Sequence, residues 1–303
     1  MSGYDLHLHS YWSYDGLVAP ESYFRAAQER GLSCIAITDH HVVDGFAEIR
    51  ECEARYPDVR SVPGAELSVT TEHGGIIDLL VYGLTAPAVA QLQPVWDAYH
   101  EWQRAQGATI CAAMQAAGMP FSDDDRIALL ASYRPPKTIA VQGHTHVKAH
   151  VFRDYLFERG WIAARDQYRP FLAGLAAFKP FPPYPHARTV VPAVKQHGAL
   201  VAIAHPYRYF KGADRKRMDA IREELSLDGI ECARPELDLE YTEKYRQYCE
   251  AHGLLALAGS DCHHDEHVAD RLGRHTGKPE WLQEFLDRLD RPAGRWFRGR
   301  TTK

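Results

Sequence analysis

Eight of the seventeen histidines stand in four close pairs, His7/His9, His40/His41, His144/His146 and His263/His264. Carboxylates accompany two of these pairs, in Asp39-His40 and Asp261-Cys262-His263, and further ligand-type residues stand at Ala65-Glu66 and Ala204-His205-Pro206. Imidazole and carboxylate side by side form the donor set of a divalent transition metal. In an extended strand, residues two apart lie on one face, so the rings of His7 and His9 can reach one cation. Taken singly, a His-x-His or an Asp-His is usually incidental. Five such segments in one chain are a different matter, provided the fold brings them together.

The elements needed to do so are legible in the periodicity. Tyr4–His9 reads as a strand, Pro20–Arg30 as a helix closed by Gly31, Ser33–Thr38 as a second strand and Gly45–Tyr56 as a second helix. Strands that alternate with helices of this length form parallel sheets. Val59–Val62 and Ile76–Tyr82 are further strand candidates. The alternation returns later, with helices at 189–196, 214–224, 239–252 and 281–289 separating strands at 200–204, 229–232 and 255–258. Each ligand-type segment directly follows a predicted strand. In a parallel α/β barrel these strand ends converge on the rim where sites are built. Glu66, after Pro63-Gly64, is either a neighbour of a helix N-cap or a ligand, and its place behind a strand favours the ligand.

Between these halves the texture is helical. Val89, Leu92, Val95, Trp96, Tyr99 and Trp102 keep helical spacing, and Asp123–Ser132 and Val147–Arg159 read as helices. The proline-rich passage Lys179–Pro185 closes this stretch. The expected organisation is therefore a discontinuous domain of residues 1–84 and 187–303, interrupted by a mainly helical insertion over 85–186. The basic end, Arg295–Lys303, reads as a solvated tail.

Composition sets the outer bounds. The 303 residues are 45% hydrophobic and 25% charged, the balance of a globular protein with a large core. The formal charge of −5 argues against broad nucleic-acid binding. No apolar run approaches the roughly 20 residues of a membrane span. The six scattered cysteines form no Cys-x-x-Cys pair and suit reduced thiols in the cytoplasm, the expected location.

The strings Tyr4-Asp-Leu-His-Leu-His-Ser10, Ser13-Tyr-Asp15-Gly16, Ile37-Thr-Asp-His40, Pro63-Gly-Ala-Glu66-Leu-Ser68, Ala204-His-Pro206 and Gly259-Ser-Asp261-Cys-His263 closely resemble the PHP (polymerase and histidinol phosphatase) family of metal-dependent phosphoesterases. The resemblance implies an α/β fold, a distorted (β/α)7 TIM-like barrel, holding two or three divalent ions. It assigns His7, His9, Glu66 and Asp261 to one ion and Asp15, His40 and His263 to another. Glu66 would bridge to a middle ion that also takes His205. At the place where the family carries a further histidine, this chain has Asp78, whose alternation with Ile77 and Leu79 would turn it into the pocket. The segment Gly143-His144-Thr145-His146 lies where related insertions carry Arg-Pro-His.

Three divalent ions would bring six positive charges against four carboxylates, leaving a pocket that prefers anions although the chain is acidic. Mixed nitrogen and oxygen ligands fit Mn²⁺, Fe²⁺ or Zn²⁺. The implied chemistry is hydrolysis of a small phosphorylated substrate, a small molecule, nucleotide or short oligonucleotide, by a hydroxide bridging two ions. Glu66 and Asp261 would hold that machinery, and His263 would assist the leaving oxygen. Arg208, in His205-Pro-Tyr-Arg208-Tyr, can take a phosphate bidentately, and His144, His146 and Lys148 could meet a second anionic group. Histidinol-phosphate-type phosphatase, cyclic-phosphate phosphodiesterase and a degenerate metal-binding accessory module remain as alternatives.

Overall fold

The computed structural model describes residues 3–175 and 182–291. Part of the proline-rich passage and the basic end fall outside them. The first half begins β1 (Gly3–Leu8), α1 (Pro20–Arg30), β2 (Leu32–Ile37), α2 (Phe46–Arg55) and β3 (Arg60–Ser61). Pro20 opens α1, where a missing N–H costs nothing, and Gly31 ends it in the left-handed region with φ 67°. These three strands form a parallel sheet in the order β1-β2-β3.

The next two strands depart from the expected pattern. β4 (Gly64–Thr71) and β5 (Gly75–Tyr82) are an antiparallel hairpin, and β5 also runs antiparallel to β6 (Leu200–Ile203). The three residues between β4 and β5, with Gly75 at φ 76°, can turn the chain back but cannot carry the crossover that a parallel pair needs. Glu66 is consequently a mid-strand residue and not a helix neighbour. β7 (Gly229–Ala233) and β8 (Leu255–Ala258) complete a five-stranded sheet in the order β4-β5-β6-β7-β8, its last two pairings parallel.

No closed barrel is formed among the described residues. The two sheets instead meet at both seams through single bridges, Leu8 with Cys262 and His40 with Glu66. At one seam the approach is close enough to demand glycine: a Cβ on Gly259 would lie 2.3 Å from the His7 Cβ. Helices α9 (Ala187–Gln196), α10 (Arg215–Leu225), α11 (Leu239–His252) and α13 (Pro279–Leu289) accompany the second sheet, while α12 (Asp265–Arg271) shares through Val268 the core of the first, with Leu32 and Ile35.

The stretch between β5 and α9 supplies α3 (Ala86–Gln91), α4 (Gln93–Ala116), α5 (Asp123–Ala131), α6 (Pro136–Gln142), α7 (Ala149–Glu158) and α8 (Tyr168–Gly174). It builds a core of its own around Ile110, Met114, Phe121, Phe152 and Leu156. The first turns of α4 face the other way, since Trp96 and Tyr99 pack into the core of the main sheet. Among the described residues, no helix is long and apolar enough to cross a membrane.

Candidate metal centre

The fold brings all nine expected ligands together, in three overlapping groups: His7, His9, Glu66 and Asp261; His9, Asp15, His40 and His263; and Glu66, Asp78 and His205. His9 belongs to two groups where the sequence suggested one. Glu66 is at the centre, fully buried, with Oε2 at 2.9 Å from His7 Nε2 and 3.1 Å from His9 Nε2, and Oε1 at 2.9 Å from His205 Nε2. Asp261 Oδ1 lies 3.3 Å from His9 Nε2. Asp15 Oδ2 stands 3.6 Å from His40 Nε2 and 3.4 Å from His263 Nε2.

These separations suit a metal. Ligand atoms about 2.1 Å from one ion are separated by about 3.0 to 3.4 Å along the edges of its coordination polyhedron. The 3.0 Å between His7 Nε2 and His9 Nε2 is such an edge. His9 Nδ1 and His40 Nδ1 are buried without a hydrogen bond among the described residues. Charge agrees with geometry. Burial opposes a carboxylate's charge, yet His7, His40 and the hydrogen bond from His205 hold Glu66 well below its usual range. Burial likewise opposes a charged His263, but Asp15 and Asp261 outweigh it and raise the ring to about 9. The cluster is thus rich enough in negative charge to hold cations in place of those protons.

Residues behind the ligands fix their aim. Asp39 is not a ligand, because its oxygens take the Ser10 N–H at 2.6 Å and the Ser10 hydroxyl at 2.7 Å, tying β1 to β2. Asp5 accepts from the Ser260 and Gly273 backbone N–H groups, both at 2.9 Å. Arg234 donates to Asp261 Oδ2 at 3.1 Å. His205 and Asp261 both adopt positive φ, 28° and 55°, and left-handed backbone at non-glycine residues commonly marks functional sites.

Asp78 faces the centre as the alternation suggests. Ser68 and Asp78 pair across the hairpin, and the Ser68 hydroxyl donates to Asp78 Oδ1 at 2.5 Å. The Tyr209 hydroxyl donates to Oδ2 at 2.6 Å, and His205 Nε2 lies 3.9 Å from the same oxygen. His263 is less suited to the acid role: Nδ1 lies 3.0 Å from the Asp261 carbonyl oxygen, and Nε2 faces Asp15. A nitrogen that ligates an ion has no proton to give.

Above the centre is a cleft of about 710 Å³, lined by Tyr14, Ile76, Asp78, Tyr184, Arg208 and Arg217 among others. The substrate-binding expectations divide here. Arg208 lines the cleft. His146 is buried, its ring 4.3 Å from that of Tyr14. The Lys148 ammonium donates to the Asp15 carbonyl, so it braces a ligand loop. Exposed His144 lines a different depression, with Arg104 and Arg126. Two contributors were missed. Arg217, whose Nε donates to the Tyr209 carbonyl, sits in an unremarkable basic helix start. Glu231, 2.9 Å from His7 Nδ1, could have been suspected as the lone charge in the buried strand β7.

A PHP domain model matches residues 5–291. The 3′,5′-nucleoside bisphosphate phosphatase of Chromobacterium violaceum is 29% identical over 97% of this chain and 100% of its own length. Among solved structures, one assigned as a metal-dependent phosphoesterase of Bifidobacterium adolescentis superposes with TM-score 0.69 at 22% identity, covering 95% of this chain and 96% of its own. Another, described as an amidohydrolase of Chromobacterium violaceum with bound sulfate and no metal, gives 0.67 at 24%, covering 95% and 97%. The match runs from within β1 to beyond α13 and includes all nine candidate ligands, and the chain belongs to the PHP domain family.

Proposed function

We propose that this cleft removes one phosphate, as a monoester, from a nucleotide that carries a second. The chain is a phosphoesterase, a metal-dependent hydrolase, on its family and its full-length relative. The observation that carries the narrower reading is the wall above the candidate ligands: Arg208 and Arg217 both line the cleft, and neither forms an ion pair with a carboxylate among the described residues. Two unneutralised guanidinium groups beside a cation-binding floor suit a substrate with two anionic ends. The relative named as a bisphosphate phosphatase supports this choice. So does the aromatic and apolar lining from Tyr14, Tyr184 and Ile76, which offers a base and sugar something to pack against.

When bound, the ions supply a water nucleophile at neutral pH and neutralise the phosphoryl oxygens. We assign Mn²⁺, Fe²⁺ or Zn²⁺ to the three groups on their mixed donors. The chain's own part is to place Glu66 between two of those groups, to hold the Asp15 loop through Lys148, and to anchor the substrate's distal anion with Arg208 and Arg217. We read the frame as a distorted (β/α)7 barrel parted at two seams and capped by residues 85–186. A cytoplasmic setting fits the six unpaired cysteines.

The test is phosphate release from adenosine 3′,5′-bisphosphate, its two monophosphates and p-nitrophenyl phosphate with added Mn²⁺. The bisphosphate should show the highest kcat/KM, by about tenfold or more, the worth of one charge-assisted contact. Equal kcat/KM on mono- and bisphosphates would overturn the two-anion reading.

A further inference from the structure

A charged side chain at the middle of a fully buried strand is costly unless every polar atom is matched. Glu231 is such a side chain, 1% exposed on β7, whose other residues are all buried and uncharged. Its two oxygens reach in different directions. Oε1 lies 2.9 Å from Nδ1 of His7 on β1, and Oε2 accepts the backbone N–H of His205 at 2.6 Å, just beyond β6. His7 and His205 belong to different cation-binding groups, joined otherwise through Glu66.

We propose that Glu231 is a positioning residue that couples two ion sites, fixing the tautomer of one histidine ligand and the backbone of another. The inference rests on the metal-centre reading. For His7 Nε2 to offer its lone pair to an ion beside Glu66 and Asp261, the ring proton must sit on Nδ1. A carboxylate oxygen at 2.9 Å, having no proton of its own when ionised, accepts from that N–H and so enforces the tautomer. The second oxygen acts on geometry. His205 occupies the left-handed region at φ 28°, which a histidine adopts only when its surroundings hold it there. The bond from its N–H to Oε2 is one such restraint, and it keeps Nε2 facing Glu66 Oε1.

Glutamine at this position separates the two functions without changing size. If its oxygen takes the His205 N–H, its amide N–H groups face His7 Nδ1, which must then be the acceptor. The ring proton moves to Nε2, the atom that should ligate. If the amide is turned over, two N–H donors oppose each other at His205. Either arrangement damages one ion site, while the group of Asp15, His40 and His263 touches neither oxygen.

The experiment is equilibrium Mn²⁺ binding to chelator-stripped full-length protein, parent and Glu231→Gln, with free Mn²⁺ read by electron paramagnetic resonance. Parent protein should bind at least two ions. The variant should hold one class at parent affinity and bind the remainder about 10- to 100-fold more weakly, the usual cost of losing a carboxylate behind a histidine ligand. Melting of the stripped proteins checks that the variant folds. Should it fail to, Glu231→Asp, which keeps the charge but is too short to reach both partners, should show the same split. Parent affinity in every class, in whichever variant folds, overturns the brace. Failure of the parent itself to bind Mn²⁺ instead overturns the metal-centre reading, and the brace with it.

Discussion

At the scale of single residues, the proposed site turns on a carboxylate placed between two candidate ion sites and on arginines that face no carboxylate among the described residues. Glu66 touches His7, His9 and His205 within 3.1 Å. Glu66→Ala should therefore remove at least one ion per chain and lower kcat/KM by more than about a hundredfold, as loss of a direct ligand exceeds loss of a supporting one. Elemental analysis and phosphate release would check both. Asp78→Ala should loosen one ion only, since the other two groups do not include it. Arg217→Ala should raise KM for a bisphosphate while sparing p-nitrophenyl phosphate, which has no second anion. The candidate ligands were legible because histidine and aspartate in short fixed strings announce themselves. Arg217 and Glu231 were not, because an arginine in a basic helix and a glutamate in a strand acquire meaning only from what the fold sets against them.

At the scale of elements, precision comes from close backbone approach and from bracing across the insertion. Gly259 passes so near His7 that Gly259→Ala would put its Cβ 2.7 Å from the His7 backbone nitrogen. The overpacking should cost about 1–3 kcal/mol, read as a lower Tm, and should also weaken metal binding by displacing His7. The insertion holds the opposite loop: Lys148 donates to the Asp15 carbonyl, and Gln142 Nε2 donates to the Trp12 carbonyl at 3.0 Å. Lys148→Met should lower affinity for the ion bound by Asp15 without changing substrate discrimination, which distinguishes a brace from an anion contact. Most helices and strands followed from periodicity and from markers such as Pro20 and Gly31. The β4–β5 hairpin did not: Pro63-Gly64 resembles a chain break, and nothing in an apolar strand announces whether its partner runs with it or against it.

At the scale of the whole molecule, two sheets meet along two seams, and the ligands lie where they meet. Ions that join β1, β4 and the ends of β6 and β8 should therefore stabilise the fold as a whole. Saturating one site at a hundred times its Kd is worth about 2.7 kcal/mol, so a chelator should lower Tm by several degrees. The pH dependence has a definite sign. His263 is raised to about 9, so in the metal-free protein its protonation stabilises fully below about 6.5, the usual histidine value, and that stabilisation is lost as pH rises toward 9. Chelated protein should accordingly melt lower at pH 9 than at pH 6.5. Loaded protein should change less, because the ions replace those protons.

The central claim is that nine residues from the strands and the loops that follow them assemble a multi-ion centre. Metal content of the purified chain after reconstitution with Mn²⁺ and removal of the excess, measured by elemental analysis against protein concentration, tests it most directly. The account predicts at least two ions per chain, and fewer than one would contradict it.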